Sequence, residues 1–444
     1  MKPASPFDYR DYRAFWLARL ASTIASTMLV VVIGIHVYDI ARETMSIAEA
    51  SFWLGMVGLA QFLPLFALTL VAGYVADRID RRWIVRASLA LELVCSAALA
   101  ALVWADAMSL VPLFTVAVAL GIGRAFAGPA LSSFAPNLVP KELLPSAIAL
   151  NSIAWQSGSV AGPLLGGGAY ALSTALPYEA SAVLFAVAVG AMLLIRPIPR
   201  GNAGDSHPLR AVIEGLAYVR DNKIVLGAIT LDLFAVLLGG ATAMLPVYAR
   251  DILHVGSEGL GALRAAPAVG AALTAVVLTR RPLKRRVGVK MFACVAIFGL
   301  ATMVFGESRV LWLSLASLFV LGASDMVSVY VRSSLIQLHT PDAMRGRVSA
   351  VSGLFISASN ELGEFRAGLA GAAFGPIAAV VGGGALAVMA TGICAWAFPS
   401  LRKADRFVQP EPGLVSEQTG KDVPETELPA MVAGLKPQAE KGLP

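Results

Sequence analysis

The stretch GYVADRIDRR, residues 73–82, places five charged side chains within ten positions. On each side of it lies an apolar run of about twenty residues, which is the length that an α-helix needs to cross a bilayer. This pattern predicts two transmembrane helices joined by a short charged loop at the membrane surface.

The composition of the whole chain supports this interpretation. Of its 444 residues, 57% are hydrophobic and 14% are charged, whereas soluble domains carry about 25% charged residues. The cysteines, Cys95, Cys294 and Cys394, all lie in apolar stretches, so a disulfide framework is not indicated. The chain is therefore predicted to be an all-α membrane protein.

Hydropathy over windows of about nineteen residues predicts twelve transmembrane helices in two sets of six. They are placed at 15–38, 51–76, 84–105, 109–132, 147–172, 179–196, 224–248, 258–279, 289–306, 310–334, 348–373 and 376–399. Residues 1–196 then form an N-terminal half and residues 224–400 a C-terminal half, with a polar central loop at 197–223. Residues 401–444, rich in Pro and Glu, are predicted to be a disordered tail.

Lys and Arg residues are unevenly distributed between the two sides of the predicted helices. They are concentrated in the N-terminal segment and in the loops that follow even-numbered helices, whereas the opposite loops hold only Arg42, Arg250 and Arg309. By the positive-inside rule, both termini, the central loop and the tail are cytoplasmic. The net charge of +6 then belongs to one face of a membrane protein, and no nucleic-acid partner is expected.

This plan of two six-helix halves is typical of transporters that are built from two repeats and bind substrate between them. The sequence shows no phosphate-binding loop, no nucleophile–base spacing and no metal-ligand spacing. We therefore expect no enzymatic activity, no cofactor, no metal site and no use of ATP.

Within the opening stretch, Gly73, Asp77, Arg78, Arg81 and Arg82 follow the spacing G-x-x-x-D-R-x-x-R-R. The pattern resembles the loop 2–3 signature of the major facilitator superfamily at every defined position. The resemblance implies a gating loop, with Asp77 at a helix end near cationic side chains or the positive end of another helix. The alternative is an ordinary positive-inside loop, which would account for the arginines but not for the other residues.

A second pattern lies in the fifth predicted helix, where Gly158, Gly162, Pro163, Gly166 and Gly167 follow the spacing G-x-x-x-G-P-x-x-G-G. It resembles the motif of the antiporter branches of the same superfamily, and so implies an exporter. Glycines four apart also make a flat face for close helix packing. Ordinary packing is therefore the alternative interpretation.

A third pattern, Arg124 followed by Gly128 in the fourth helix, resembles the superfamily's arginine motif. The arginine of that motif is linked to proton coupling in drug–proton antiporters. An arginine in mid-membrane costs about 2.5–3.5 kcal/mol on insertion scales, so it needs a partner or a water-filled cavity. The alternative is a structural ion pair.

The resemblance to the superfamily extends over about residues 10–400. The phrases FDYRDYRAFWLARLAST, residues 7–23, and NELGEFRAG, residues 360–368, look like the branch that contains bacterial enterobactin exporters. Macrolide exporters and lysophospholipid flippases are similar in the same regions. The resemblance therefore leaves several substrate classes open.

Charged residues inside the predicted helices form the candidate site, because lipid makes each of them costly. They are Arg124, Asp232, Asp325, Arg332, Glu361, Glu364 and Arg366. Helical spacing places Asp325 and Arg332 on one face of the tenth helix, and Glu361 and Glu364 on one face of the eleventh. Arg366 is predicted to point to roughly the opposite side.

Asp232 has no partner three or four residues away in its own helix, which favours a functional role. Glu92 also lacks such a partner, but the superfamily resemblance implies that the third helix lies outside the cavity. A structural role is therefore favoured for Glu92.

Glu361 and Glu364 lie one turn apart, and two carboxylates at that distance in a low dielectric should not both ionise. Either one could then carry a proton as the two halves rock against each other. The alternative is a permanent lattice of Glu361, Glu364, Arg366 and Asp325 that holds the C-terminal half together.

The leading interpretation is a proton-coupled secondary active exporter of a small organic molecule, siderophore-like or drug-like, that works by alternating access. The alternatives are a lysophospholipid flippase or other lipid transporter and, in a different class, a non-transporting membrane scaffold. We expect a monomer in the bacterial cytoplasmic (inner) membrane. Its expected partners are a small-molecule substrate, protons and membrane lipids.

Overall fold

A computed structural model describes residues 5–132, 134, 138–196, 208–283, 285–405 and 407, and every regular element within them is a helix. Side chains are described at these positions except 69, 70, 73, 74, 76–78, 128, 129, 132, 141, 145, 208–211, 342 and 343. The predicted tail therefore lies outside the described residues beyond 407.

The α-helices of the described residues alternate with short connections. They are α1 Arg10–Thr44, α2 Ile47–Arg78, α3 Arg81–Trp104, α4 Leu110–Ser132, α5 Leu144–Leu172, α6 Leu176–Leu193, α7 Pro208–Asp221, α8 Lys223–Gly239, α9 Leu245–Val247, α10 Gly256–Arg280, α11 Val287–Glu307, α12 Leu311–Leu338, α13 Asp342–Phe374, α14 Pro376–Ala397 and α15 Pro399–Arg402. Short 3₁₀-helices occur at Pro6–Asp8, Lys141–Leu143 and Ala241–Met244, and a π-helix at Tyr248–Ile252.

Ten helical segments of the described residues are long and apolar enough to cross a membrane. They are α1, α2, α3, α4, α6, the composite segment Lys223–Ile252, α10, α11, α12 and α14. Two more helices are as long but more polar. The helix α13, with 33 residues, carries six charged side chains, and α5, with 29 residues, carries Asn151, Gln156 and four serines. Each predicted span overlaps one of these twelve segments.

The seventh predicted span, 224–248, is not a single helix. The helix α8 ends at Gly239, and Gly240 adopts a left-handed conformation with φ +42°, which glycine reaches without strain. The chain continues through a 3₁₀ turn, α9 and a π-helix, and Pro246 removes one backbone donor within this part. The prediction of one continuous helix was therefore wrong.

Part of the predicted central loop is also helical, since α7 covers Pro208–Asp221. Glu214 of α7 forms an ion pair with Arg347 of α13 at 2.5 Å, and the Tyr218 hydroxyl donates to the carbonyl of His339. These contacts hold α7 against the ends of α12 and α13.

The helices form two sets, which meet most closely at one end. The first set is α1–α6, and the second is α8–α14 together with the short helices between α8 and α10. There a single apolar core joins Ile35 and Leu54 of the first set to Met244 and Tyr248 of the second. We call this end, which holds the C-terminal ends of α1, α5 and α13, the closed end. Nearer the other end of α13, an added Cβ at Gly353 would meet no atom within 4 Å.

Candidate functional site

Two ion pairs converge on one face of α13. Glu361 Oε1 lies 3.1 Å from Nη1 of Arg124 in α4, so this pair joins the two sets of helices. Glu364 Oε1 lies 3.6 Å from Nη2 of Arg264 in α10, within the second set. The side chains are partly accessible, with 35% of Arg124 and 20% of Arg264 exposed. The face predicted from helical spacing is therefore where the charges meet.

Glycines bring the backbones of α2 and α13 together beside this face. A Cβ added to Gly55 would lie 2.8 Å from the Cα of Gly368, and one added to Gly58 would lie 3.0 Å from the Glu361 carbonyl oxygen and the Glu364 Cβ. Larger side chains at these positions would push the sets apart. Glu361 and Glu364 therefore lie where the close contact between α2 and α13 ends, on the side away from the closed end.

The broken seventh span touches the same cluster. Nη1 of Arg264 donates to the carbonyl of Thr242 at 3.2 Å, just after the left-handed Gly240. Carbonyls released where a membrane helix unwinds need a donor. Arg264 therefore connects the unwound segment to Glu364.

Three other predicted residues lie elsewhere in the second set. Asp232 of α8 forms an ion pair with Arg332 of α12, and both side chains are almost fully buried, at 6% and 4% exposure. The partner of Asp232 therefore comes from another helix, which spacing within its own helix could not indicate. Asp325 makes no ion pair or hydrogen bond among the described residues.

Arg366 points away from the acid pair, as its spacing predicts. Its Nη2 lies near the positions that a Cβ would take on Gly240 and Gly383, at 3.0 and 2.9 Å, so it is packed between the end of α8 and α14. Among the described residues, its Nε and Nη2 have no hydrogen-bond partner. The lattice of Glu361, Glu364, Arg366 and Asp325 is therefore not observed: the two glutamates pair with other arginines.

The glycines of the fifth span pack in two directions. A Cβ added to Gly158 would lie 2.6 Å from Thr23 Cγ2, one on Gly162 would lie 2.7 Å from the Ile24 carbonyl oxygen, and one on Gly166 would lie 3.0 Å from Met28 Cγ, all in α1. By contrast, a Cβ on Gly167 would lie 2.8 Å from Gly261 Cα in α10, and the carbonyl of Pro163 lies 2.8 Å from the position of a Cβ on Gly261. The motif therefore lies between the two sets, at the closed end.

The predicted gating loop is described only in part. The backbone of Gly73, Asp77 and Arg78 belongs to α2, but the side chains of Asp77 and Arg78 are not among those described. Arg82 pairs with Asp80 at 2.7 Å.

The guanidinium of Arg82 also donates to the carbonyl of Ile195 at 3.2 Å. A cation is favourable at a helix C-terminus, so this contact ties the start of α3 to the end of α6 within the first set.

A second group of contacts between the sets was not predicted. At the closed end Arg42 pairs with Asp251 at 3.2 Å, and Arg250 pairs with Asp39 at 2.5 Å. The hydroxyl of Tyr38 donates to Asp251 across the sets, whereas that of Tyr170 donates to Asp39 at 3.1 Å within the first set. We call these six residues the crossed ion pairs.

The crossed ion pairs have a sequence signal that hydropathy does not register. The ends of the first and seventh predicted helices read VYDIAR at 37–42 and VYARDI at 247–252, so that each set supplies one acid and one base. By contrast, nothing in the sequence spacing of Arg264 points to Glu364.

The chemistry available to this arrangement is acid–base and electrostatic. A carboxylate that loses its arginine in a low-dielectric region must take up a proton or another cation. A partly exposed guanidinium can bind an anionic group through several N–H donors. Among the described residues, no three His, Cys, Asp or Glu side chains are grouped so that they could hold a metal ion.

Comparison with known proteins identifies the family. Residues 1–419 match the MFS_3 family of transmembrane secretion effectors. The enterobactin exporter EntS of Citrobacter koseri is 24% identical over 373 residues, covering 83% of this chain and 86% of the relative. EntS of Escherichia coli O157:H7 is 24% identical over 379 residues, covering 84% and 88%.

Solved structures share the fold at low sequence identity. A POT family transporter in complex with 5-aminolevulinic acid has a TM-score of 0.70 at 12% identity, covering 89% of this chain and 97% of that one. A bacterial homologue of the lysosomal transporter Spinster, inward-facing and occupied, has a TM-score of 0.69 at 16% identity, covering 90% and 99%. The chain therefore belongs to the transmembrane secretion effector family of the major facilitator superfamily, and it is a multi-pass membrane transporter.

Proposed function

We propose that this chain is a proton-coupled secondary active exporter that carries a small organic molecule out of the cytoplasm by alternating access. The observation that carries the proposal is the ion pair between Arg124 and Glu361, which joins the two sets of helices at a partly accessible position. Movement of one set against the other breaks this pair and leaves Glu361 to take up a proton. Proton uptake is thereby linked to the change of conformation.

The second support is the asymmetry of the contacts between the sets. The crossed ion pairs and the contacts of Gly55 with Gly368 and of Gly167 with Gly261 all lie at the closed end. We infer that the described state opens toward the opposite end, where α7 lies, and that the outward-open state separates these contacts. Contacts made in only one of two states set the balance between the states.

The export direction rests on the relatives, which are named as enterobactin exporters, and on the glycine motif of α5. An anionic or metal-chelating amphiphile suits the charge of the site, because the guanidinium groups of Arg124 and Arg264 are both partly exposed. We therefore propose a siderophore-like substrate ahead of a hydrophobic drug.

The membrane arrangement follows from the same reasoning. We propose that the ten apolar segments, together with α5 and α13, form twelve transmembrane spans, with both termini on the cytoplasmic side of the bacterial inner membrane. Residues 1–196 and 224–400 act as the two moving halves. The transporter works as a monomer, since its site is built from α4, α10 and α13 of a single chain.

Metabolite profiling of a deletion strain tests the proposal. We expect one anionic secondary metabolite to accumulate in the cells and to return to the medium when the wild-type gene is restored. The Glu361→Gln variant should insert normally but fail to restore export, whereas Glu258→Gln, at an exposed position of α10, should restore it fully. Accumulation of lysophospholipid instead would favour a flippase, and unchanged profiles would favour the scaffold.

A further inference from the structure

Glu92 of α3 is the buried charge that the mechanism above leaves unused. Its residue is 6% exposed, and it makes no ion pair among the described residues. Its carboxylate accepts one long hydrogen bond, 3.5 Å from the Ser26 hydroxyl. A buried carboxylate with a single weak donor is poorly compensated, so a permanent structural role explains it badly.

The cation that acts on Glu92 is the arginine that already pairs with the other set. Glu92 lies within electrostatic reach of Arg124, and its Oε1 would be 3.6 Å from a Cβ on Gly123, the residue next to that arginine. Both Glu92 and Arg124 belong to the first set, in which α3 packs on α4. Their proximity therefore survives any rigid movement of that set, whereas the contact between Arg124 and Glu361 does not.

Among the described residues, Arg124 forms an ion pair with one carboxylate, that of Glu361. If α13 moves away, a guanidinium without an anion in the membrane interior would be costly. Arginine carries five N–H donors on a long flexible stem, so it can turn to a second acceptor within the same set.

We propose that Glu92 is the second partner of Arg124 and takes over the guanidinium whenever α13 carries Glu361 away from α4. Arg124 thus alternates between an acid of the other set and an acid of its own set. In the second state Glu361 takes a proton from water, and the carboxylate of Glu92, ionised in both states, forms an ion pair with Arg124. The charged groups that act on Glu361 are Arg124, Glu364 and Arg264, and the one that acts on Glu92 is Arg124.

This inference rests on the proposed alternation of the two sets, but its test needs no substrate. Spin labels at Leu194 of the first set and Val289 of the second, both exposed, report the separation of the sets at the end opposite the closed end. They are introduced into a full-length chain whose three native cysteines are replaced, in lipid nanodiscs, and distances are measured by pulsed electron paramagnetic resonance.

Glu92→Gln should shift the population toward the state in which Arg124 pairs with Glu361, by about fivefold or more. Glu361→Gln should shift it in the opposite direction, and the double variant should largely cancel both shifts. Glu92→Asp, which keeps the charge, should shift the population less than Glu92→Gln. It replaces Glu92→Gln in the measurement if that variant does not fold. In an Arg124→Gln background, changing Glu92 should shift nothing, and Glu258→Gln should match the wild type.

Shifts in the same direction for Glu92→Gln and Glu361→Gln would overturn the inference, as would an unchanged population in a folded Glu92→Gln protein. A purely structural Glu92 would lower the melting temperature without moving the populations. If the wild type shows a single distance at every pH, the alternation itself fails, and the proposed function fails with it. Two wild-type populations without opposite shifts would overturn only the role of Glu92.

Discussion

The Asp251→Asn substitution should open the closed end, and its effect should exceed that of Asp39→Asn. Asp251 accepts hydrogen bonds from Arg42 and Tyr38. Its side chain is only 16% exposed, and that of Arg42 is 24% exposed. Removing a partly buried charged acceptor and leaving its donors unpaired costs about 1–3 kcal/mol. That cost corresponds to a population shift of about 5- to 150-fold toward the state in which the sets separate at this end.

Asp39 provides the matched comparison. Its pair with Arg250 is 36% and 43% exposed, and solvent screening reduces such a pair to about 0.2–1 kcal/mol. The shift for Asp39→Asn should therefore be at most about fivefold.

A buried cysteine can report the opening of the closed end. Ser51 of α2 is fully buried there, beside Gly371 of α13. In a background without native cysteines, Ser51→Cys should react with a membrane-impermeant maleimide at a rate proportional to the open population. The reasoning is refuted if Asp251→Asn leaves this rate unchanged at an unaltered melting temperature, or if Asp39→Asn accelerates labelling more than Asp251→Asn does.

Three further predictions concern other parts of the protein. Asp77→Asn should slow alternation without greatly changing substrate affinity, and a large affinity loss with normal turnover would contradict a gating role. Asp232→Asn should strand the buried Arg332 and lower stability by about 3–5 kcal/mol, measured by thermal unfolding; an Asp232→Asn/Arg332→Met variant should recover much of that loss. Gly167→Leu should prevent close contact at the closed end and stop transport. Gly168→Ala should transport normally, because a Cβ at position 168 would meet no atom within 4 Å.

The positions of the helices and the side of α13 that carries the two acids could be predicted from the sequence, because both depend on the pattern of residues within a single helix. Apolar runs mark the spans, and the spacing of Glu361, Glu364 and Arg366 places the two acids on one side and the arginine on the other. The structure agrees on both points.

The pairing of these charges could not be predicted in the same way. Arg124 and Glu361 are 237 residues apart, and Asp232 meets Arg332 only because α8 packs on α12. Helical spacing describes one helix at a time and contains no information on which helices become neighbours. For that reason the spacing around Asp232 shows the absence of a partner in its own helix but not the presence of Arg332.

Two local features are visible in the sequence but are hidden when hydropathy is averaged over a window. A window of about nineteen residues passes over the Gly239–Gly240 pair and Pro246, which together end the seventh span early. The same window cannot resolve the 14-residue amphipathic helix α7 inside a charged loop. Glycine pairs, prolines and short periodic segments need to be read residue by residue.

Transport driven by an imposed pH gradient tests the central claim most directly. The purified wild-type protein is reconstituted in proteoliposomes, and uptake of the metabolite that accumulates in the deletion strain is measured with a gradient of about one pH unit, which supports up to about tenfold accumulation if one proton is exchanged per substrate. The proposal predicts that accumulation disappears when the gradient is collapsed and is absent in the Glu361→Gln variant. Accumulation that is independent of the gradient, or wild-type rates in Glu361→Gln, would contradict proton coupling at this site.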